Sequence, residues 1–240
     1  GEFHNKTKNY FSGPKSELPE ESGGWCDYMV ELEFFRSMPE GIRKDAWFLT
    51  KVTMTGQERN PETGRYPLLD WDDPATNQKH PYWKKNIESS DWVFNYNDGY
   101  YETKGISSAS GKTRMIFRYA DILLLYAEAV AYGSKNIDDL AFDCMWRVQK
   151  RAGVPLISKD VTKAYFQKAV LDERRWETAG MEHSCMGRFF TMQRHEILHL
   201  QKNYRDAAEL SLNPNLTLSE EFYYFPIPDN ELLIVPGLKD

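Results

Sequence analysis

The amino-acid sequence predicts a mainly α-helical protein with long irregular loops and few short strands. Two observations predict this fold class. After residue 115, apolar residues recur at helical spacing over several long segments, whereas residues 1–114 are interrupted repeatedly by Gly, Pro, Asn and Asp. The chain of 240 residues therefore divides into a loop-rich region, 1–114, and a helical region, 115–240, which we expect to form one structural domain.

Composition excludes several classes of partner and fold. The formal net charge of −6 argues against nucleic acid as a partner, because binding to a polyanion relies on a basic face. The three cysteines are widely spaced and odd in number, so they indicate neither a disulfide framework nor a metal knuckle. "GISSASGKT" (105–113) has five residues between its glycines where a phosphate-binding loop has four. We therefore predict no nucleotide or other cofactor.

The loop-rich region contains two segments with regular patterns. "CDYMVELEFFRS" (26–37) is predicted to form a helix. "AWFLTKVTMT" (46–55) alternates apolar and polar residues around Val52 and Met54, which predicts a strand. The remaining segments of this region are predicted loops.

The helical region opens with two predicted helices joined by a short loop. "MIFRYADILLLYAEAVAYG" (115–133) has apolar residues at helical spacing and a glycine as a stop signal. A second helix is predicted from about Asn136 to Gly153, where Pro155 follows. Such an antiparallel pair resembles one tetratricopeptide-type unit, which buries its faces by stacking on neighbouring units. We expect further helical structure to complete the stack.

Two more helices and an extended tail complete the prediction. The third helix runs from about Thr162 to Gly180, and the fourth begins near Gly187. The tail after residue 212 is punctuated by proline, and its apolar residues are expected to pack back over the helices. Around the third helix, buried ion pairs are expected among Glu173, Arg174, Glu177 and Arg188. These pairs would fix the helix against the tail.

The segment "RHEILHL" (194–200) contains the zinc-protease pattern H-E-x-x-H. On a helix, His195 and His199 would share one face and could bind zinc, while Glu196 acts as a base toward a zinc-bound water. A short match of this kind arises easily by chance, and no convincing third ligand follows it. A solvated helix face is the preferred interpretation, and a zinc-dependent hydrolase is kept as an alternative.

Four motifs, in order, resemble the SusD/RagB family of nutrient-binding surface lipoproteins of Bacteroidota. "RYADILLLYAEA" (118–129) is similar to the family's helix motif, and "VQKRAG" (148–153) to the end of a family helix. "LDERRWETAGMEH" with "GRFFTMQR" (171–194) is similar to its Arg/Glu-rich helix. "YFPIPDNELLIVPGLK" (224–239) is similar to its closing segment. The sequence departs from the family pattern at "SCM" (184–186), at Thr191 and at its end. Members are about twice as long, so the chain resembles their C-terminal part.

The resemblance implies a non-catalytic protein of the outer-membrane cell surface. It implies capture of a glycan and delivery to a SusC-like TonB-dependent transporter, with membrane attachment only through a lipid anchor that is not present in this chain. A structural helix without metal is implied for the H-E-x-x-H segment. A helical-repeat adaptor that binds protein is the second alternative, because of the tetratricopeptide-type helix pair.

Glycan binding requires flat aromatic faces together with polar groups for the sugar hydroxyls. Loop aromatics of the first region are the candidates for ligand contact, chosen from composition alone: Trp25, Tyr28, Trp71, Tyr82, Trp83, Trp92 and Tyr96. Packing in the protein interior is the competing interpretation for each of them. Trp146 and Trp176 lie on predicted helices and are assigned to the core. "DWDD" (70–73) lacks the spacing of a calcium loop, so a solvated acidic turn is preferred to a calcium site.

Overall fold

The computed structural model describes residues 29–53, 58–64, 67–76, 79–84, 92–94, 101–103, 117–180, 189–200, 205–212, 227–235 and 237. Helices dominate this part of the chain, and the strands are two or three residues long. The predicted class, mainly α with few short strands, is confirmed. Over the same residues, no helix is both long and apolar enough to cross a membrane.

Helices α3 (Tyr119–Tyr132) and α4 (Asp139–Ala152) form the predicted pair, and their ends follow from local chemistry. Before α3, the backbone N–H of Arg118 donates to the Asp121 carboxylate at 2.8 Å. Asp138 caps α4 by accepting from the backbone N–H of Ala141 at 2.8 Å. Gly153 ends α4 in the left-handed conformation, with φ of 70°, which glycine adopts without steric cost. The helix pair is confirmed.

Helix α5 (Lys163–Thr178) begins after Thr162, close to its predicted start, and the Thr162 hydroxyl caps it by accepting from the backbone N–H of Tyr165 at 3.2 Å. It packs against α3, which also packs against α4. Together the three helices bury what we call the helical core: Ala120, Leu124, Ala127, Ala131, Ala141, Phe142, Cys144, Met145, Val148, Ile157, Phe166 and Val170. Small alanines on α3 let the neighbouring helices approach closely.

The described part of the first region is more regular than predicted. Helices α1 (Leu32–Ser37) and α2 (Ile42–Trp47) precede strands β1 (Phe48–Leu49) and β2 (Lys51–Thr53). The predicted strand over 46–55 is therefore wrong at its start, where Trp47 closes α2. Strand β1 pairs with β4 (Tyr82–Trp83), β2 with β3 (Leu68–Asp70), and β5 (Trp92–Phe94) with β6 (Tyr101–Thr103), each pair antiparallel.

A second cluster, here called the aromatic core, joins the first region to α5. Its buried members are Val30, Phe34, Met38, Phe48 and Trp83. Trp176 and Ala179, at the end of α5, pack against it, as do Phe35 and Trp47. Trp146 packs against the helical core, so the assignment of both helical tryptophans to core packing is confirmed.

The remaining described elements are short. Residues 189–194 are helical (α6), and they are followed by α7 (Ala207–Leu212) and α8 (Asp229–Ile234). Helix α8 buries none of its residues, and Leu233 and Ile234 are 78% and 74% exposed. The expectation that apolar tail residues pack over the helices is therefore wrong for this helix.

Candidate functional site

Trp71 lies at a corner where β3 turns away from β2. Its backbone N–H donates to the carbonyl of Thr50 at 2.8 Å, and its own carbonyl accepts from the Thr76 hydroxyl at 2.7 Å. The indole packs edge-on against Phe35, with 5.8 Å between ring centroids. These contacts fix the ring while leaving it partly exposed. A fixed, partly open indole is the surface that a sugar ring requires.

A cavity of about 350 Å³ lies between α1, α2 and the β1–β2 segment, with Phe35 in its lining. Its polar lining consists of Glu40, Lys44, Asp45, Thr50, Lys51 and Lys84. Trp71 stands beside this lining rather than in it, since its ring packs against Phe35 and its backbone N–H donates to Thr50. We call the cavity together with Trp71 the Trp71 cleft. Its volume lies within the range of ligand pockets, and its lining combines an aromatic ring with donors and acceptors.

The charged groups of the Trp71 cleft are anchored within the chain. Lys44 donates to Glu40 at 2.5 Å and lies 4.5 Å from the centroid of the Phe35 ring. Lys51 donates to Asp70 at 2.9 Å, and Lys84 donates to the carbonyl of Asp45 at 3.2 Å. Burial lowers the pKa of Lys84, against the attraction of the Asp45 carboxylate. The lining is thus organised before any ligand arrives.

Two predicted ligand contacts are corrected by the structure. Tyr82 and Trp83 lie on β4 and are only 7% and 8% exposed. Trp83 packs against Phe48, with 5.1 Å between centroids, and its ring edge closely approaches Gly180. Neither ring has an open face on which a sugar could stack. Both residues are therefore withdrawn as ligand contacts, because the interior of the first region needs large side chains.

The other predicted aromatics have different outcomes. Trp25, Tyr28 and Tyr96 lie outside the described residues. The backbone of Trp92 forms part of β5, and its side chain lies outside the description. Trp71 is thus the described candidate that is partly exposed and adjoins the cavity through Phe35 and Thr50, and its contact with a ligand stays a prediction. Phe35 and Lys84, which line the same cleft, were missed because single residues in a short helix and after a strand carry no periodic signal.

The acidic segment around Trp71 forms a turn held by its own backbone. The Asp73 carboxylate accepts from the backbone N–H of Ala75 at 2.8 Å, while Asp70 is engaged by Lys51. These contacts favour the acidic turn over a calcium loop. Within the described residues, no three His, Cys, Asp or Glu side chains are grouped as a metal ion requires.

The H-E-x-x-H segment does not form the predicted helix. Helix α6 ends at residue 194, and Glu196 has a φ of 54°, in the left-handed region. His195 then lies in a turn and His199 in a short 3₁₀ segment, so the one-face geometry needed for a zinc pair is lost. The prediction of a helix here is wrong, and the alternative of a zinc hydrolase loses its structural basis.

His195 has a packing partner in the helical region. Its Nε2 lies 2.8 Å from Glu128 Oε1, and its ring lies 4.0 Å from that of Tyr132. Arg194 donates to the same Glu128 oxygen at 2.9 Å, and Arg174 pairs with the other oxygen. Glu128 is 4% exposed, so the turn after α6 is fastened to α3 by a buried carboxylate.

The Arg/Glu-rich segment of α5 forms buried ion pairs, but with other partners than predicted. Arg43 of α2 donates to Glu173 at 2.5 Å and to Glu177 at 3.3 Å. Glu177 also accepts from Arg118 at 2.9 Å and from Arg151 at 2.5 Å. Arg188 lies outside the described residues. This cluster, here called the Glu177 clamp, ties α2 to α3, α4 and α5, and it contains no group arranged as a nucleophile.

The sequence profile of the SusD family matches residues 2–240. The chain belongs to the SusD family. Solved SusD superfamily structures from Parabacteroides distasonis and Bacteroides vulgatus are similar, with TM-scores of 0.66 and 0.58 at 17% and 20% identity. The alignments cover 98% and 93% of this chain and 46% of each of those chains.

A third similar structure is surface glycan-binding protein A from Bacteroides uniformis. Its TM-score is 0.53 at 17% identity, and the alignment covers 98% of this chain and 46% of that chain. A comparison with curated proteins finds no match. This SusD-family chain therefore spans less than half the length of these structures, and at such identities the likeness establishes the fold.

Proposed function

We propose that this SusD-family chain captures a glycan at the cell surface, without turnover. The observation that carries the proposal is the family match over residues 2–240. It is supported by the fold shared with a surface glycan-binding protein of Bacteroides uniformis. The Trp71 cleft supplies what capture requires: one fixed aromatic face and several anchored polar groups, with no catalytic arrangement among them.

Delivery is the second part of the proposal. The captured glycan is passed to a SusC-like TonB-dependent transporter in the outer membrane, where a lipid anchor holds the complete protein. The support for this step is family membership. Within the chain, ligand contact is assigned to Trp71, and Trp25, Tyr28, Trp92 and Tyr96 stay as proposed contacts.

Affinity electrophoresis tests glycan capture directly. The chain is run through gels that contain single polysaccharides, beside the variant Trp71→Ala. We expect one polysaccharide to retard the chain, and the variant to lose about tenfold in affinity because a sugar ring loses its stacking surface. Tyr119→Ala is the matched control, since Tyr119 is 66% exposed on α3 and lies away from the cleft.

Each outcome bears on a different part of the proposal. Retardation that Trp71→Ala abolishes and Tyr119→Ala preserves supports capture at the Trp71 cleft. Equal retardation of all three proteins would move the site elsewhere. A chain that no polysaccharide retards would contradict glycan capture by this chain.

A protein-binding adaptor is kept as a second candidate because of one observation. Helix α3 exposes a stripe of large apolar residues, in which Tyr119, Ile122 and Leu125 are 66%, 53% and 48% exposed. Helical repeats stack through such faces. Specific capture of a protein partner, lost in Ile122→Glu and accompanied by no sugar affinity, would favour the adaptor over glycan capture.

A further inference from the structure

A second cavity, of about 430 Å³, lies between α5 and the extended segment after α4. Its floor is one face of α5, formed by Tyr165, Ala169, Asp172 and Trp176. The small side chain of Ala169 leaves a gap between the two aromatic residues. Tyr165 is 59% exposed, so its ring is open to solvent at one end of the groove.

The wall of this groove is the extended segment after α4, and hydrogen bonds to α4 hold it in place. The carbonyl of Ile157 accepts from the Trp146 indole N–H at 2.7 Å, and the Ile157 N–H donates to the Gln149 side chain at 2.9 Å. The N–H of Val154 donates to the carbonyl of Gln149 at 3.1 Å. A ligand would meet a preformed surface and spend little free energy on ordering it.

The groove presents two aromatic side chains. Tyr165 is exposed, and Trp176 is partly exposed although its indole Nε1 is buried. The apolar face of a sugar ring suits an aromatic floor of this kind.

The charges around the groove point to a neutral ligand. Lys168 donates to the floor carboxylate of Asp172 at 2.6 Å, and Arg175 also pairs with Asp172 at 3.3 Å, so this charge has cationic partners within the chain. Glu173, at the inner end, is already held by Arg43. Because each of these charges already has a partner of opposite charge in the chain, a charged ligand would find no unpaired charge among them.

We propose that the groove between Tyr165 and Trp176 is a second glycan-binding site, which takes a short segment of a neutral oligosaccharide. The choice of ligand class rests on the proposed function, but the site is separate from the Trp71 cleft. A protein with two such sites would hold a polysaccharide chain more tightly than either site alone, because the second contact forms at a high effective concentration.

The test is an NMR titration of the indole N–H resonances with neutral trisaccharides: maltotriose, cellotriose, mannotriose and xylotriose. The Trp176 signal is assigned by its loss in Trp176→Phe. We expect one trisaccharide to shift this signal in a saturable way, and Tyr165→Ala to weaken the interaction about tenfold. Tyr126→Ala is the matched control, because Tyr126 is also a partly exposed helical tyrosine but lies outside the groove.

The outcomes separate the groove from the proposed function. Saturable shifts of the Trp176 signal that Tyr165→Ala reduces support the second site, even where Trp71→Ala has abolished polysaccharide capture. A Trp176 signal unmoved by every trisaccharide overturns the second site, while retardation in polysaccharide gels would leave capture at Trp71 standing. A shift produced by trileucine and not by the sugars would overturn it in favour of a peptide groove.

Discussion

The helical core and the aromatic core differ in the sequence distance between their members. The helical core is made from residues 120–170, and its largest contacts join neighbouring helices. The aromatic core draws residues from 30–48, from Trp83 and from the end of α5. The first kind of core follows from periodic local patterns, whereas the second depends on contacts that close long loops. The packing of the loop-rich region therefore depends on contacts with the helical region.

The Glu177 clamp is a buried electrostatic link between the two regions. Glu177 is 1% exposed and faces Arg43, Arg118 and Arg151. Glu177→Gln removes the negative charge that these guanidinium groups share, so we expect a loss of about 3–5 kcal/mol in the free energy of unfolding. Urea denaturation followed by tryptophan fluorescence measures this loss.

Glu33→Gln is the control for the Glu177 change. Glu33 pairs with Arg36 on the exposed surface of α1, where an ion pair contributes about 0–1 kcal/mol. If Glu177→Gln costs no more than Glu33→Gln, the two regions are joined mainly by the aromatic core, and the clamp adds little.

A smaller effect tests the aromatic core itself. Gly180 has a φ of 62°, and a Cβ added there would lie 2.6 Å from the Trp83 ring. Gly64 has a φ of 68° and open space around it. Gly64→Ala therefore reports left-handed strain alone, about 1–2 kcal/mol, and Gly180→Ala should cost about 1–3 kcal/mol more through overpacking.

Chemical denaturation and near-ultraviolet circular dichroism separate these two glycine variants. We expect Gly180→Ala to change the aromatic signal while the far-ultraviolet helix signal is kept, since the helical core is not touched. Equal losses in the two variants would show that the approach of Gly180 to Trp83 relaxes without cost.

The same contrast explains how much of the fold could be predicted from sequence. Helices α3, α4 and α5 were predicted with approximate ends, including the stop at Gly153 and the start near Thr162, because helical periodicity and stop signals are local. The end of α2 and the strands β1 and β2 were merged into one predicted strand, 46–55. Six residues that end in an aromatic residue carry too few repeats to distinguish a short helix from a strand.

The candidate site was predicted less well, for a physical reason. An aromatic residue in a loop can serve a ligand or anchor the loop, and the residue type is the same in both cases. Trp71 and Trp83 both lie in loop-like sequence, but strand pairing with β1 buries Trp83 while the turn at 70–73 leaves Trp71 partly exposed. The partner of Glu173, Arg43, was also missed because it is 130 residues away.

The smallest predicted effect concerns Glu173, where the two regions meet. Burial raises the pKa of Glu173 above its usual 4.5, and this desolvation outweighs the attraction of Arg43. The folded state then binds a proton at Glu173 more readily than the unfolded state. The contribution of Glu173 to stability is fully present below 4.5 and is lost as the pH rises through the folded-state pKa.

Glu173→Gln removes this titration while keeping the shape of the side chain. We expect the free energy of unfolding of the parent chain, measured relative to the variant, to increase as the pH falls from neutral toward 4.5. Asp206→Asn is the control of opposite sign, because the hydrogen bond from Arg36 lowers the pKa of Asp206 and its contribution is lost on acidification. A relative stability that decreases on acidification for Glu173 as well would mean that Arg43 outweighs desolvation. In that case the ion pair of Glu173 with Arg43 would stabilise the junction between the two cores. The expected rise in relative stability on acidification would instead indicate that packing stabilises it.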